Sequence, residues 1–423
     1  MRFKIVTLGC KVNLYESEIM HELLVQNGWI EADSDLNLIV VNTCSVTNVA
    51  DNKSKKMIRR ARNNNEKAVL MVCGCASENN REALDYLDID ILLGNKDKSK
   101  IIELVEEFRE KKNKIVRFYD SAKLDFEDMR VSKFSNKTRA FVKIQDGCNN
   151  FCSFCIIPYM RGNIRYKDID LAYEEVLELV NNGHKEIVLT GIHTGSYGRG
   201  TESDLVDLIR KISEIEGLLR IRISSIEVSE LTDKFINELA SNPKICNHMH
   251  VPLQSGSDSI LKLMNRKYTC AEYEKTLCLL RKAREDISIS TDVIVGFPKE
   301  SEEDFDETLE FVRKLKFSKI HVFPYSKREG TKAADLPNHL DNSLKKSRAR
   351  KLIRLSDVLE ADYNAKFIGS IVDVLVEDVS DIESIGHTSN FIKVKIDETL
   401  ESNHVYAVKI TRGEDNLLVG KID

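Results

Sequence analysis

Continuous apolar runs alternate with amphipathic helical segments over the first 115 residues. The runs FKIVTL, LIVVNT, AVLMV and DILLG are typical of strands buried on both faces, and a helix is expected from about Asn13 to Gln26. A second, basic helical segment lies between LIVVNT and AVLMV. Strands that alternate with helices in this way predict an α/β domain with a parallel sheet over residues 1–115.

Residues 116–137 break this pattern, because polar positions dominate without a clear period in KLDFEDMRVSKFSNK. We interpret them as a linker. The alternation resumes over residues 138–360, where the expected strands are AFVKIQ, EIVLTG, LRIRISS, NHMHVPL, ISTDVIVG and KIHVFPY. Six βα units predict a partial (β/α)6 barrel, with its chemistry at the carboxyl ends of the strands.

Residues 361–423 change to short strands separated by turn-forming residues. The expected strands are SIVDVLVEDV, FIKVKI, HVYAVKI and NLLVGKI. This spacing predicts a small β-barrel.

Composition narrows the class of protein. A chain of 423 residues, 42% of them hydrophobic, can fold as two or three domains. We expect a cytoplasmic protein without membrane spans, because no apolar run approaches the roughly 20 residues that cross a bilayer. The ten cysteines cluster as CxxxCxxC and CxC, which favours reduced metal ligands over disulfides.

The formal net charge is −5, so any contact with nucleic acid must come from local basic patches. Two basic helices offer such patches, and a solvated helix face is the alternative for both. The candidate RNA-contacting residues are Lys56, Arg59, Arg60, Lys346 and Arg350. From residue 365 onward the chain has 6 Lys and Arg against 11 Asp and Glu, so we expect RNA affinity to depend more on the two helices.

The sharpest chemical signal is CNNFCSFC, which places Cys148, Cys152 and Cys155 directly after the first strand of the expected barrel. Three thiolates on one loop can hold three irons of a [4Fe–4S] cluster and leave the fourth iron open for a substrate. A zinc site would need a fourth Cys or His at short range, and none lies before His184. We expect His193 and His250 to be hydrogen-bonded loop residues and not ligands. A non-catalytic iron–sulfur or zinc protein that binds RNA is the alternative from another class.

A second set of cysteines ends three strands of the N-terminal domain. Cys10 stands in TLGC, Cys44 in VNTC and Cys75 in VCGC. The carboxyl ends of parallel strands meet at one edge, so these thiols predict a second three-thiolate cluster. Each could instead be an ordinary core residue, and Cys73 is near enough to Cys75 to compete for a ligand role.

The motif CNNFCSFC after the first strand of a partial barrel resembles the radical S-adenosylmethionine (SAM) superfamily. The resemblance implies that the open iron binds the amino and carboxylate groups of SAM, and that an electron splits SAM to methionine and a 5′-deoxyadenosyl radical. It also implies that Phe154 lies near the adenine of SAM. Thr190 and Gly191 match a stretch near the SAM amino group, although Gly191 would equally suit a tight βα turn.

Other polar residues at the barrel mouth are weaker candidates. Glu227, Gln254 and Asp292 end strands and could hydrogen-bond SAM, or merely cap loops. Arg161 and Arg165 in RGNIR could meet SAM or an RNA phosphate, or be surface arginines.

Longer blocks resemble the radical SAM methylthiotransferases over nearly the whole chain, among them TLGCKVNLYES, VVNTCSVT, IQDGCNNFCSFCIIPYMRG, TGIHTGSYG and TDVIVGFP. The resemblance implies that the N-terminal cysteines hold an auxiliary [4Fe–4S] cluster that handles sulfur. Two clusters and two SAM molecules would then serve the reaction. The segment GHTSNFIKVKI is similar to a TRAM domain, a β-barrel that binds RNA.

Within that family, GCKVNLYES and IHTGSYG resemble the MtaB branch. This implies methylthiolation at C2 of N6-threonylcarbamoyladenosine at position 37 of transfer RNA, beside the anticodon. It also implies an electron donor such as flavodoxin or ferredoxin. An isopentenyladenosine transfer RNA or a ribosomal protein is the alternative target.

Overall fold

The structure of the chain is a computed structural model that describes residues 1–134, 138–414 and 416–423. The strands up to residue 117 are β1 Arg2–Thr7, β2 Ile30–Glu31, β3 Leu38–Thr43, β4 Val69–Gly74, β5 Ile91–Leu93 and β6 Ile115–Arg117. The helices there are α1 Lys11–Gln26, α2 Asn48–Asn64, α3 Cys75–Asn79, α4 Arg81–Asp85 and α5 Ile101–Lys111. All strand pairs in this stretch are parallel, in the order β2-β1-β3-β4-β5-β6. The predicted parallel α/β domain is confirmed, with β2 and β6 as additional short edge strands.

Strand β3 is buried along its whole length because helices cover both faces of the sheet. Leu38 and Val40 pack with Met20 of α1 on one face. Ile39 packs with Ile58 of α2 on the other. Successive side chains of a strand alternate between faces, so a central strand covered on both sides requires a continuous apolar run.

The segment interpreted as a linker is packed against its neighbours where the structure describes it. Met129, Val131 and Phe134 are buried in the same apolar core as the strands that follow. The hydroxyl of Tyr15 in α1 donates to the Met129 carbonyl oxygen at 2.6 Å. Residues 135–137, the end of the interpreted linker, lie outside the described residues.

The central part of the chain forms an open barrel. Its strands are β7 Arg139–Lys143, β8 Gln145–Asp146, β9 Arg165–Tyr166, β10 Glu186–Thr190, β11 Arg220–Ile223, β12 His248–His250, β13 Ser288–Val295 and β14 Lys319–Pro324. Its helices are α6 Ile157–Arg161, α7 Ile169–Asn181, α8 Leu205–Ser213, α9 Asp233–Ser241, α10 Asp258–Leu263, α11 Cys270–Ala283, α12 Glu302–Leu315 and α13 Asn342–Ala365. None of the helices in the described residues is both long and apolar enough to cross a membrane.

Parallel strands of this region form two arcs, β7-β10-β11 and β12-β13-β14. Single parallel bridges, one from Ile221 to Ile245 and one from Ser225 to His250, connect the arcs. Strands β8 and β9 form a separate antiparallel pair. The predicted partial (β/α)6 barrel is therefore confirmed.

The two faces of the barrel wall differ in polarity. Ile221 and Ile223 of β11 are buried in the main apolar core. Arg222 lies between them on the opposite side of the strand, where its Nε donates to Glu186 Oε1 at 2.6 Å. This alternation gives the barrel an apolar outer face beneath its helices and a polar lumen.

The C-terminal part of the chain is a closed β-barrel. Its strands in the described residues are β15 Ile371–Val379, β16 Ser384–Thr388, β17 Lys393–Ile396, β18 Val405–Glu414 and β19 Leu417–Ile422, in the order β15-β16-β17-β19-β18. The predicted small barrel is confirmed and fits a TRAM-like domain. The apolar runs do not reveal β16, whose sequence SIGHT has none. Gly386 is required there because a Cβ would lie 2.2 Å from the Leu375 carbonyl oxygen.

The C-terminal barrel lies against the amino ends of the central strands. Arg139, at the start of β7, pairs with Glu377 of β15 at 3.0 Å. The Phe391 ring lies 4.7 Å from the Arg222 guanidinium and 5.0 Å from that of Arg139. One end of the central barrel is thus covered, and its chemistry is confined to the carboxyl end and the lumen.

Candidate functional site

Cys148, Cys152 and Cys155 lie on the loop after β8, at the carboxyl end of the barrel, which we name the cysteine loop. The backbone N–H of Cys148 donates to the Gly162 carbonyl oxygen at 3.0 Å. Burial, together with the neighbouring thiols of Cys152 and Cys148, raises the pKa of Cys155 to about 12. The three sulfurs are therefore close enough to repel one another as thiolates.

Arg266 supplies positive charge to this loop. Its Nη1 donates to Cys152 Sγ at 3.2 Å, and its guanidinium also pairs with Glu227. A cation beside a thiolate stabilises the form that binds metal. No sequence motif indicates Arg266, which lies after α10 and reaches the loop only through the fold.

His193 is a second cationic neighbour. Its Nδ1 lies 4.0 Å from Cys148 Sγ, and its Nε2 lies 2.7 Å from Glu230 Oε1. Although burial opposes protonation, the contacts with Cys148 and Glu230 raise the pKa of His193 to about 10. The sequence predicted a hydrogen-bonded loop histidine but did not indicate this contact with a cysteine.

Cys10, Cys44 and Cys75 follow β1, β3 and β4 at one edge of the N-terminal sheet, and we name them the N-terminal cysteine set. The Cys44 sulfur lies so near Gly9 that a Cβ there would meet it at 2.8 Å. Burial raises the pKa of Cys44 to about 11, and the nearby thiols of Cys75 and Cys10 contribute to the rise. The structure thus brings these residues together. Cys73 instead is fully buried in the apolar core.

Arg161 of α6 is fully buried and contacts the N-terminal cysteine set. Its Nε donates to Cys75 Sγ at 3.4 Å. Its Nη1 donates to Glu16 Oε1 at 3.0 Å and to Asp146 Oδ1 at 3.2 Å. The expectation that Arg161 meets SAM or RNA phosphate, or lies on the surface, is wrong, because protein groups occupy its donors. Arg165 pairs with Asp146 at 3.0 Å.

Both cysteine groups fit an iron–sulfur cluster by the chemistry of their donors. Each offers soft thiolates, which iron–sulfur clusters require, with one guanidinium contact, from Arg266 or from Arg161. Among the residues that the structure describes, no three His, Cys, Asp or Glu side chains form a group that could hold a single metal ion.

Five of the six predicted SAM residues lie at the carboxyl end of the barrel, whereas Asp292 lies within β13 and not at its end as expected. Thr190 ends β10, and Gly191 packs against Gln145, whose Oε1 would lie 2.8 Å from a Cβ at Gly191. Gln254 has a left-handed backbone with φ of 72°, and its N–H donates to the Asp292 carbonyl oxygen at 2.8 Å. Strain at such a position is often associated with function.

The other predicted SAM residues already have protein partners. Phe154 packs against an apolar cluster that includes Phe297. The Asp292 carboxylate lies 3.2 Å from His250 Nε2, and Glu227 pairs with Arg266 as described above.

A cavity of about 330 Å³ lies where the amino ends of β12, β13 and β14 meet α13 and the C-terminal barrel, and no motif in the sequence indicates it. All three parts of the chain contribute to its wall, with Lys11 from α1, His248 from β12 and Phe391 from the C-terminal barrel. Burial and the nearby charges of Arg222 and Arg139 lower the pKa of Lys11 to about 8. The Lys11 side chain remains accessible because it faces the cavity.

The five candidate RNA-contacting residues are exposed on α2 and α13; they are Lys56, Arg59, Arg60, Lys346 and Arg350. Both helices begin beside the segment 325–328. Asn48 Nδ2 donates to the Lys327 carbonyl oxygen at 2.9 Å, and Lys345 Nζ donates to that of Tyr325 at 3.4 Å. The two basic faces therefore start from one region of the surface.

Two protein families match this chain. The Radical SAM superfamily matches residues 142–312, which include the cysteine loop. The Uncharacterized protein family UPF0004 matches residues 2–94, which include the N-terminal cysteine set.

A curated relative spans almost the same length. The threonylcarbamoyladenosine tRNA methylthiotransferase MtaB of Bacillus subtilis (strain 168) is 41% identical over 399 residues, which cover 92% of this chain and 88% of that protein. The chain belongs to the radical SAM methylthiotransferases, in their MtaB branch. The MtaB of Thermotoga maritima is 37% identical, and the alignment covers 88% of this methylthiotransferase and 86% of the Thermotoga protein. The tRNA-2-methylthio-N(6)-dimethylallyladenosine synthase of Clostridium novyi (strain NT) is 35% identical, covering 100% of this chain and 96% of its own.

Solved structures share the fold of this methylthiotransferase. The radical SAM methyltransferase TsrM from Kitasatospora setae has a TM-score of 0.58 at 14% identity, covering 79% of this chain and 76% of its own. The cobalamin-dependent SAM radical enzyme OxsB has a TM-score of 0.51 at 11% identity, and the alignment covers 83% of this chain and 56% of OxsB. Membership of the radical SAM superfamily implies SAM and a [4Fe–4S] cluster as cofactors of the methylthiotransferase.

Proposed function

We propose that the chain methylthiolates C2 of N6-threonylcarbamoyladenosine at position 37 of transfer RNA, with two SAM molecules and two [4Fe–4S] clusters. The contacts of one buried side chain carry the proposal. Buried Arg161 bonds Cys75 of the N-terminal cysteine set and also Asp146, two residues before Cys148 of the cysteine loop. A guanidinium that links one cysteine group to the strand leading into the other suits a reaction that must join radical chemistry to sulfur transfer.

The target carbon explains why two clusters are useful. An adenine C2–H is neither acidic nor attached to a useful leaving group, so general acid–base catalysis has little effect there. The cluster on the cysteine loop supplies, when bound, the electron that cleaves SAM. The protein's own residues hold the reacting groups in position and keep water away.

Each cysteine group has a defined part in this proposal. The cysteine loop holds the cluster that meets SAM, and the Arg266 guanidinium balances the charge at Cys152. The N-terminal cysteine set holds the auxiliary cluster, where Arg161 balances the charge at Cys75. We assign SAM binding to Phe154, Thr190, Gly191, Glu227, Gln254 and Asp292.

Transfer RNA would bind across the two basic helices. Their exposed lysines and arginines suit phosphate contacts, which the acidic C-terminal barrel supplies less well. Phe151 and Tyr159, which are 42% and 43% exposed with ring centroids 5.8 Å apart, lie at the cysteine loop and can stack on unpaired bases. We expect this surface to bind the anticodon stem-loop of the transfer RNA.

Two further assignments follow from the same proposal. A small electron carrier such as flavodoxin or ferredoxin would reduce the cluster on the cysteine loop. A transfer RNA substrate and reduced thiols both support a cytoplasmic location.

Nucleoside mass analysis tests the proposal. Transfer RNA from a strain without this chain should lack 2-methylthio-N6-threonylcarbamoyladenosine and accumulate its unmethylthiolated precursor. The chain itself should restore the product, whereas a Cys152→Ala variant should not. Persistence of the product in the deletion strain would defeat the assignment, and loss of the methylthio-dimethylallyl nucleoside would identify the alternative substrate.

A second assay separates an enzyme from a binding protein. Anaerobically reconstituted protein with a strong reductant should convert SAM to 5′-deoxyadenosine and methionine. Absence of this cleavage, with iron fully loaded, would favour a non-catalytic RNA-binding role.

A further inference from the structure

The cavity of about 330 Å³ is polar on the side of the strands. His248 and His250 of β12 and Ser290 of β13 line it, together with His321 of β14. Its volume of about 330 Å³ lies at the lower end of the range of small-molecule pockets, about 300–1,000 Å³. A polar group of several atoms would fit such a space better than an apolar one.

His248, which lines the cavity, has a buried ring nitrogen without a partner among the described residues. Its side chain is only 8% exposed, and its Nε2 is 3.0 Å from Ser290 Oγ. Its Nδ1 is buried without a hydrogen-bond partner among the described residues. Buried polar atoms are normally paired, so the cavity is expected to receive a group that can bond this nitrogen.

Lys11 adds an unbalanced positive charge to the same space. The carboxylates at or near this space are already paired: Glu360, which lines the cavity, with Lys319, Glu186 with Arg222 at 2.6 Å, and Glu377 with Arg139 at 3.0 Å. No carboxylate of the described residues forms an ion pair with the Lys11 ammonium. Because the cationic groups outnumber their partners here, an anionic ligand is favoured.

We propose that this cavity binds the threonylcarbamoyl side chain of the substrate nucleoside, and that Lys11 binds its carboxylate. The inference rests on the proposed function and identifies a specificity-determining residue for it. The threonylcarbamoyl group carries a carboxylate, a hydroxyl and a urea linkage, which match Lys11 and His248. A dimethylallyl group would leave both side chains unpaired, and a site built for hydrogen bonds rejects an analogue that lacks them.

The position of Lys11 in the chain connects this binding to the chemistry. Lys11 directly follows Cys10, the exposed member of the N-terminal cysteine set. A carboxylate held by Lys11 therefore keeps the attached adenine near the proposed auxiliary cluster. The same residue would thus select the modified base and orient it.

RNA binding to the reconstituted protein tests the inference through the carboxylate itself. Anticodon stem-loops with N6-threonylcarbamoyladenosine are compared with loops carrying its methyl ester, which removes the charge. We expect the ester to bind wild type about 10- to 100-fold more weakly, the loss of one charge-assisted hydrogen bond. Equal dissociation constants for acid and ester would overturn the inference without any protein variant.

Lys11→Met provides the matching protein change. It should weaken binding of the acid by a similar factor and leave binding of the ester unchanged, since the two changes remove one interaction. Lys11→Arg should restore most of the affinity. The control is Lys67→Met, an exposed residue at the opposite, amino edge of the N-terminal sheet, which should behave as wild type.

Two readouts keep the outcomes apart. Iron content and visible absorbance of Lys11→Met should equal those of wild type. If they differ because the substitution disturbs Cys10, the comparison of acid and ester stem-loops on wild type alone tests the inference. Wild-type product formation on the stem-loop tests the proposed function separately. If wild type makes product while Lys11→Met keeps its KM, the role of Lys11 is wrong and the function stands.

Discussion

Arg161 Nη1 lies 3.0 Å from Glu16 Oε1, and both side chains are fully buried. Arg161 belongs to α6 of the barrel and Glu16 to α1 of the N-terminal domain, so the pair crosses the boundary between them. Lys98 and Lys143 also bind Glu16, and Lys143 and Arg161 share Asp146. Buried charges of this kind are tolerated only when every one has partners, which fixes how the domains fit together.

Removing one member of this network should destabilise the N-terminal domain. Glu16→Gln leaves Arg161, Lys98 and Lys143 undercompensated, and loss of one partner from a buried ion pair costs about 3–5 kcal/mol. The chain has one tryptophan, Trp29, which is 6% exposed in the N-terminal core, so its fluorescence reports urea unfolding there. Glu103→Gln, an exposed change on α5, is the control and should shift stability by at most about 0.5 kcal/mol. A Glu16→Gln effect as small as that would show that the network contributes little.

The same carboxylate should make stability depend on acid. Burial alone would raise the pKa of Glu16, but Arg161, Lys98 and Lys143 lower it well below the ordinary 4.5, against an opposing effect of Asp146. A pKa lowered by folding gives stability that is complete above about pH 4.5 and is lost as the pH falls through the folded value. The Trp29 unfolding midpoint should therefore fall more steeply with acid in wild type than in Glu16→Gln. If the unfolding midpoint falls equally with pH in wild type and in Glu16→Gln, this linkage is contradicted.

The two cysteine groups should be separable in the loaded enzyme. Alanine at all three positions of the cysteine loop should abolish SAM cleavage and remove about half of the iron, about four of eight atoms. Alanine throughout the N-terminal cysteine set should also remove about half of the iron, but SAM cleavage should continue while methylthiolation stops. Iron and sulfide analysis and 5′-deoxyadenosine formation measure both effects. Cys278→Ala, an exposed change on α11, serves as the control; an N-terminal variant with full iron would refute the second cluster.

The basic face of α2 should contribute phosphate contacts. A triple variant to Gln at Lys56, Arg59 and Arg60 should lower RNA affinity and reduce the slope of log K against log salt by about 2–3. Discrimination between acid and ester stem-loops should not change, because phosphate contacts carry no base information. Filter binding over a salt series measures the slope. The matched control replaces three exposed residues of α11 and α12 by Gln, namely Lys275, Lys282 and Lys314. If the control loses as much RNA affinity as the α2 variant, α2 has no specific role in RNA binding.

Local patterns reveal the strands and the cysteine groups because both depend on short stretches of chain. A buried strand needs a continuous apolar run, and Cys44 stands directly after such a run, so its place at a sheet edge is readable. Arg161 is different, because its partner Glu16 lies 145 residues earlier and each charge alone resembles a surface residue. Lys11 and His248 meet in the cavity only after three parts of the chain have assembled.

Phe391 gives the C-terminal barrel a role inside the central one. Its ring lies over Arg222 and Arg139 and also lines the cavity. A chain shortened to its first two domains would expose these arginines and open the cavity to bulk water. Exchange of C-terminal domains between relatives would therefore replace part of the pocket wall along with the RNA-binding module, so such chimaeras should inherit altered substrate preference from the transplanted segment.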